Sequence, residues 1–178
     1  MTEKETLAKL LWEIGALRLA EEGAPLRWAP EAALENEEAR GALLDALAAM
    51  AQEHYASAQA LLGGPWAGLL AQRLSLPLNP QELPARVLAV TDAVGDGAEL
   101  CDLAAPIRAG GISIAAAAIF NFGFPAARHR LDRADVRLHW LTDLETAAAV
   151  ALQGGSVDFE TYDRLLEMAE NEDLGERE

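Results

Sequence analysis

The chain has 178 residues, of which 51% are hydrophobic and 24% charged, a balance typical of one globular domain rather than of a disordered or fibrous protein. Its net charge of −15 opposes binding to nucleic acid and to anionic membranes, because both carry dense negative charge. Cys101 is the only cysteine, which excludes an internal disulfide and a cysteine-based zinc site and fits a reducing compartment.

The sequence also gives no sign of export or of membrane insertion. Residues 1–5 lack the basic and apolar regions that begin a secretory signal peptide. The most apolar stretch, residues 111–124, is too short to span a bilayer and contains Asn121 and Gly123. We therefore expect a cytoplasmic protein without a membrane anchor.

The first third of the sequence predicts two helices around a loop. Apolar residues at three-and-four spacing predict a helix over residues 6–19. Residues 21–33 are broken by glycine and proline and predict a loop with a short extended piece at Leu26–Trp28. Residues 35–54 then predict a strong helix, with Asn36 as its N-cap.

Strands and helices alternate through the rest of the chain. The predicted strands cover residues 57–62, 86–91, 112–120 and 136–141. The predicted helices cover residues 66–74, 98–109, 142–152 and 158–169, and the second of them is expected to kink at Pro106. The acidic tail over residues 167–178 is predicted to fray. This alternation indicates an α/β fold, a mostly parallel sheet flanked by helices and joined by right-handed crossovers.

Two glycine turns are the candidate ligand sites, because ligands of open α/β sheets bind at the carboxyl ends of the strands. The first turn contains Gly63 and Gly64, and the second covers residues 91–97. In the second turn an acid and glycines precede a helix, whose free N–H groups and dipole attract anions. Dinucleotide binding is disfavoured, because Leu100 occupies the third glycine position of that fingerprint.

The run from 87 to 100, Val-Leu-Ala-Val-Thr-Asp-Ala-Val-Gly-Asp-Gly-Ala-Glu-Leu, resembles the phosphoribosyl-diphosphate motif of type I phosphoribosyltransferases. In that family the motif is a hydrophobic strand, two acids, two variable residues, two Thr or Ser and a Gly. Further segments resemble orotate phosphoribosyltransferases in the same order: residues 14–17, 63–65, 76–78, 107–114 and 137–144. The resemblance covers most of the chain and implies a type I phosphoribosyltransferase fold and a homodimer.

The expected organisation is one phosphoribosyltransferase-like domain over residues 1–178. Residues 1–56 form N-terminal helices and a hood, residues 57–141 the α/β core, and residues 142–178 the C-terminal helices and acidic tail. In this comparison Gly63 and Gly64 correspond to the family's pyrophosphate turn.

The motif departs from the family where substrate would bind. The family's two acids grip the ribose hydroxyls, whereas here Thr91 replaces the first acid and Asp92 remains. The Thr or Ser pair that holds the 5′-phosphate falls on Gly95 and Asp96, and a carboxylate repels phosphate. The former phosphate turn, our candidate ligand-binding segment, is Asp92, Gly95, Asp96, Gly97 and Ala98.

The basic residues of the family are also missing from the sequence. Residues 78–86 join the sheet directly to the motif strand, where orotate phosphoribosyltransferases carry a long flexible loop with Lys, Arg and His. Lys4 and Lys9 are the only lysines. In the former base pocket, the family's Lys falls near Glu21, and its Asp-Arg pair matches Asn121 and Phe122.

Structural interpretations compete with these functional ones. Asp92 and Asp96 are typical turn and capping residues, and a glycine turn needs no ligand. His54, His129 and His139 lack metal-ligand spacing, so we expect no metal site. The basic segment over residues 128–133 predicts a solvated loop, with anion or partner contact as the alternative, and the aromatics of residues 120–124 fit either a core or an apolar pocket or dimer contact.

Three functions fit this sequence. The first, which we favour, is an orotate phosphoribosyltransferase-like homodimer that has lost catalysis and has a binding, regulatory or structural role. The second is an active phosphoribosyltransferase that transfers ribose 5-phosphate to a nucleobase, and only this one would require Mg²⁺. The third is a binder of an uncharged or cationic small molecule in the former active cleft.

Overall fold

The computed structural model describes residues 1–20 and 26–171, which form an α/β fold. The strands are β1 (Leu17–Leu19), β2 (Leu26–Trp28), β3 (Ala60–Gly63), β4 (Arg86–Val94), β5 (Ser113–Asn121) and β6 (Arg137–Asp143). The helices are α1 (Glu3–Glu13), α2 (Pro30–Glu35), α3 (Glu37–His54), α4 (Pro65–Leu74), α5 (Ala98–Ala109), α6 (Pro125–Arg133), α7 (Leu144–Gln153) and α8 (Phe159–Asn171). None of the described helices is long and apolar enough to cross a membrane.

The central feature is a parallel sheet of four strands in the order β3-β4-β5-β6. Helices α4, α5 and α6 connect its successive strands, and further helices pack around it. A separate antiparallel pair, β1 and β2, joins the N-terminal segments. The helix-flanked parallel sheet confirms the predicted fold class.

The core is built around the two middle strands, β4 and β5. Alanines fill the centre of β5, where Ala116, Ala117 and Ala118 are fully buried. Such small side chains let helices approach the sheet closely, and both α3 and α5 contact this strand. Because the strands are parallel, their carboxyl ends meet at one edge of the sheet and their amino ends at the other.

The first helix ends earlier than the sequence pattern predicts. Helix α1 stops at Glu13, and Gly15 adopts the left-handed conformation with φ of 73°. The Ala16 N–H donates to the Leu11 carbonyl and the Gly15 N–H to that of Trp12, the pair of bonds that closes a helix in a Schellman motif. The chain then extends into β1 instead of continuing as a helix.

Helices α2 and α6 both begin at a proline, and α2 begins within residues 21–33, the segment predicted as a loop. Pro30 is the first residue of α2, and Pro125 is the first residue of α6. Proline suits this position, because its missing N–H would be unpaired there and its φ is already helical. Consequently the basic segment over residues 128–133 lies on a helix, and its prediction as a loop is wrong.

The motif strand is longer than predicted. β4 continues to Val94, with Ala93 beside Phe120 and Val94 beside Asn121 in the register with β5. The turn therefore starts at Gly95, and Asp92 lies within the strand. The prediction that residues 167–178 fray is wrong for residues 167–171, which form the end of α8. Residues 172–178 lie outside the described residues.

Candidate ligand cleft at the carboxyl edge of the sheet

A cleft of about 460 Å³ opens at the carboxyl edge, between the turn after β3 and the turn after β4. Its volume lies in the range of about 300 to 1,000 Å³ that is usual for small-molecule sites. It brings together three of the segments predicted as site residues: the Gly63-Gly64 turn, the Gly95–Ala98 turn, and Phe122. Asp92 and Asn121 are not among its lining residues.

The first wall of the cleft is the turn at Gly63. Its N–H donates to Asn79 Oδ1 at 3.0 Å, and Asn79 Nδ2 donates to the Gly63 carbonyl oxygen at 3.0 Å. Gly63 has a φ of 138°, and a Cβ there would lie 2.3 Å from the Val90 carbonyl oxygen. Only glycine fits such a position, so this turn has a structural requirement independent of any ligand.

The second wall is the turn that begins α5. Gly97 is in the left-handed conformation, with φ of 78°, and a Cβ at this residue would lie 3.2 Å from the Cα of Ala127 in α6. The start of α5 is therefore packed closely against α6. This contact brings the basic face of α6 close to the former phosphate turn.

Asp96 places its carboxylate at the N-terminus of α5. Oδ1 accepts a hydrogen bond from the Ala98 N–H at 3.0 Å, and Oδ2 forms an ion pair with Arg130 Nη1. The same Arg130 nitrogen donates to the Asp96 carbonyl oxygen at 3.0 Å. The bond from Ala98 and the Arg130 guanidinium lower the pKa of Asp96 below its ordinary value, so this carboxylate is ionised at neutral pH.

The remaining motif residues make local backbone bonds. The Thr91 hydroxyl lines the cleft and donates to the Ala93 carbonyl oxygen at 3.2 Å. Asp92 Oδ1 accepts from the Ala93 N–H at 2.8 Å. Together with the Asp96 bond to Ala98, these contacts are of the kind that the structural interpretation of both aspartates predicts.

The aromatic run after β5 belongs to the core, and one of its rings also borders the cleft. Phe120 and Phe124 are fully buried, and Trp28 stacks on Phe120 with ring centroids 5.4 Å apart. Phe122 contacts both phenylalanines, at 5.1 Å and 5.6 Å between centroids, and also lines the cleft. All three rings therefore belong to the buried core, and Phe122 is the one that also borders the cleft.

Asn121 and Phe122, the two residues that the resemblance assigns to the former base pocket, differ in the cavities that they line. Asn121 lines a separate cavity of about 880 Å³ beside α6 and α8, and its Oδ1 accepts from the Gly123 N–H at 3.0 Å. Phe122 borders both cavities. Glu21, which the resemblance places near this pocket, lies outside the described residues.

The ionisable side chains that line the cleft are both acidic. They are Asp96 and Glu99, and among the described residues that line it there is no lysine, arginine or histidine. Both lysines lie on α1, and each is paired with a carboxylate, Lys4 with Asp143 and Lys9 with Glu13. Arg130 reaches the cleft only through its bonds to Asp96.

Two histidines that are far apart in the sequence contact each other outside the cleft. His54 and His139 stack with ring centroids 3.9 Å apart, and His139 Nδ1 lies 2.6 Å from the Tyr55 hydroxyl. Burial lowers the pKa of His139, and the nearby His54 and Arg137 lower it further. Within residues 1–20 and 26–171, no group of three or more His, Cys, Asp or Glu side chains is placed to hold a metal.

Comparisons with known proteins agree with this architecture. No family model matches the chain. It is 23% identical over 195 residues to orotate phosphoribosyltransferase of Bacillus subtilis, covering 91% of this chain and 90% of that protein. It is 29% identical over 183 residues to orotate phosphoribosyltransferase of Allorhizobium ampelinum, covering 83% of this chain and 79% of that protein.

Solved structures give the same result. Orotate phosphoribosyltransferase from Aeropyrum pernix superimposes with a TM-score of 0.70 and 26% identity, covering 85% of this chain and 99% of that chain. Adenine phosphoribosyltransferase from Leishmania donovani, at 14% identity over 82% of this chain and 83% of that one, shares the fold with a TM-score of 0.64. The chain is therefore orotate phosphoribosyltransferase-like, with the fold of the type I phosphoribosyltransferases.

Proposed function

We propose that this chain has lost phosphoribosyl transfer and acts as a binding, regulatory or structural homodimer. The observation that carries the proposal is the Asp96 carboxylate in the phosphate turn. It takes the Ala98 N–H at the N-terminus of α5 and the Arg130 guanidinium, the groups that would otherwise attract a phosphate. The Asp96 carboxylate thus binds the groups that a substrate phosphate would otherwise bind.

The charge of the rest of the cleft supports the same proposal. Phosphoribosyl transfer releases pyrophosphate, and an enzyme stabilises the negative charge on such a leaving group with cations. Here the ionisable lining residues are Asp96 and Glu99. By the resemblance, residues 78–86 stand where the family carries its basic loop, and they contain no lysine or histidine. Departing pyrophosphate would therefore meet repulsion.

The ribose and metal contacts of the family have weak counterparts. Thr91 stands where the first acid would grip the ribose, and Asp92 accepts a bond from its own neighbour, Ala93. Mg²⁺ belongs only to the active alternative, and its usual ligands are carboxylates that are free to coordinate. The Asp96 carboxylate is paired with Arg130, so these residues fit Mg²⁺ poorly.

A second candidate is binding of an uncharged or cationic small molecule in the same cleft. The observation that favours it is the combination of two acidic side chains, Asp96 and Glu99, with Phe122, which borders the cleft. Carboxylates attract a cation, and an aromatic face adds a cation–π contribution of about 0.5 to 2 kcal/mol. This candidate is compatible with a protein that has lost catalysis.

Calorimetry with phosphoribosyl diphosphate and Mg²⁺ tests the loss of catalysis. We expect no saturable heat, whereas the Bacillus subtilis relative titrated in the same buffer serves as the positive control. A dissociation constant near 1 μM, about −8.2 kcal/mol of binding free energy, would contradict the proposal. It would favour the active enzyme, and nucleobase consumption would then be measured.

The homodimer is tested by sedimentation equilibrium. A stable interface buries about 1,200 to 2,000 Å² in total and is apolar at its centre. Because each chain carries a charge of −15, screening of this repulsion should make the dimer tighter at moderate than at low salt. A single species at the 19.0 kDa chain mass under all conditions would exclude the dimer.

A further inference from the structure

A second pocket lies at the amino edge of the sheet, opposite the cleft. It is formed where β4, β5 and β6 begin, at Arg86, Ser113 and Arg137. The register places Arg86 beside Ser113, and Arg137 beside Ala115. Arg108, in the last turn of α5, joins them from the helix. The parallel topology thus gathers three arginines that are far apart in the sequence.

The pocket concentrates positive charge in an acidic protein. The chain has 14 lysines and arginines against 29 acids, yet three guanidinium groups and one carboxylate, that of Asp135, line this pocket. Asp135 is paired with Arg108, through both its carboxylate and its carbonyl oxygen. The charge of Arg86 and Arg137 is therefore left without a paired carboxylate among the described residues.

The two uncompensated arginines still have free donors. Arg86 uses Nε to donate to the Ser57 carbonyl oxygen at 3.0 Å, which leaves its two terminal nitrogens. The Arg137 guanidinium donates no hydrogen bond to any residue in the described ranges. Ser57 and Ser113, which carry hydroxyl groups, line the same space. The donors needed for an oxyanion are therefore assembled around one cavity.

We propose that this pocket binds a small oxyanion of the phosphate class, either inorganic phosphate or the phosphate group of a phosphomonoester. The planar arginine fork donates two parallel hydrogen bonds to such an anion, which a lysine cannot do. The cavity, about 250 Å³, lies just below the usual range for small-molecule sites, which favours a small anion. The site is independent of the proposed function, because it lies at the opposite edge from the cleft.

NMR titration of the intact chain with inorganic phosphate tests the site. Saturable shifts are expected at the backbone amides of Ser57, Arg86, Ser113 and Arg137, with half-saturation below about 10 mM. Arg137→Gln should weaken binding at least about tenfold, since the lost hydrogen bonds join two charged groups. Arg128→Gln, on α6, is the matched control, because it changes the net charge equally and should leave the affinity unchanged.

Two further measurements make the outcome decisive. Arg137→Lys keeps the charge but loses the fork, and it should bind phosphate with an affinity between those of the wild type and Arg137→Gln. Titration with ribose 5-phosphate shows which of the two ligands the site takes. If the ligand is a phosphomonoester, ribose 5-phosphate should bind more tightly than inorganic phosphate. If the ligand is the free ion, ribose 5-phosphate should not bind more tightly. Equal weakening by Arg137→Gln and Arg128→Gln, or no saturation, would overturn the proposal.

Discussion

The two edges of the parallel sheet carry opposite charge. At the carboxyl edge, the ionisable side chains that line the cleft are Asp96 and Glu99, whereas three arginines line the pocket at the amino edge. The general geometry of parallel sheets favours anions at the carboxyl edge, where helix N-termini point. In this chain the charged side chains are distributed the other way, with acids lining the carboxyl-edge cleft and arginines lining the amino-edge pocket. The comparison teaches that backbone geometry offers an anion site, while side chains decide whether it accepts one.

The largest effect is expected from Gly63→Ala at the carboxyl edge. The new Cβ would lie 2.3 Å from the Val90 carbonyl oxygen, at a φ of 138° that alanine does not tolerate. We expect the free energy of unfolding to fall by about 3 kcal/mol in urea denaturation.

Gly64→Ala is the matched control for this change. No atom lies within 4 Å of a Cβ at Gly64, and the loss of an N-cap glycine costs about 1 kcal/mol or less. If the two variants lost the same stability, close approach at Gly63 would not be what requires glycine, and this wall of the cleft would tolerate a side chain.

A smaller effect is expected at the amino edge, from Tyr55. Burial raises the pKa of Tyr55 from 10.0 to about 12, although nearby Arg137 and the hydrogen bond with His139 oppose the shift. The protonated hydroxyl therefore stabilises the fold fully below pH 10, and this contribution is lost as the pH rises through about 12. Allowing for solvent screening, we expect a loss of about 2 kcal/mol.

Tyr55→Phe isolates this contribution from the other groups that titrate at high pH. The variant loses the bond to the Ala116 carbonyl oxygen and should be about 1 to 2 kcal/mol less stable at neutral pH. Its stability should then decline less than that of the wild type between pH 10 and 12, as measured by urea denaturation at each pH. Parallel declines in the two proteins would show that Tyr55 is not the group responsible.

The smallest effect is expected from Asp96→Thr. The substitution removes the carboxylate that repels anions and frees both the Ala98 N–H and Arg130. We expect phosphate affinity at this turn to rise about tenfold, or about 1.4 kcal/mol. The measurement is phosphate titration followed through the amide shifts of Gly95–Ala98.

Glu99→Gln provides the control, because it removes one negative charge from the same cleft without freeing the Ala98 N–H or Arg130. Its affinity for phosphate should change about twofold or less, since exposed charges interact weakly. Unchanged amide shifts at Gly95–Ala98 in Asp96→Thr would show that this turn no longer binds anions, and the charge contrast between the edges would not depend on Asp96.

The sequence by itself determined the fold class and pointed to the two glycine turns that line the cleft. Alternating apolar strands and helices indicate a parallel sheet, since local hydrophobic periodicity reflects which faces are buried. The departures at Thr91 and Asp96 were also visible, because they lie within one continuous motif. The sequence pattern placed the end of the first helix too late, since it gave no weight to Gly15, whose left-handed conformation closes α1.

Only the tertiary structure decided which distant residues act together. The pairing of Arg130 with Asp96 depends on how α6 packs against α5 at Gly97. The gathering of Arg86, Arg108 and Arg137 depends on the register of three parallel strands and on the position of α5. Neither arrangement leaves a local pattern, because long-range packing sets these contacts, whereas periodicity records only the environment of each segment.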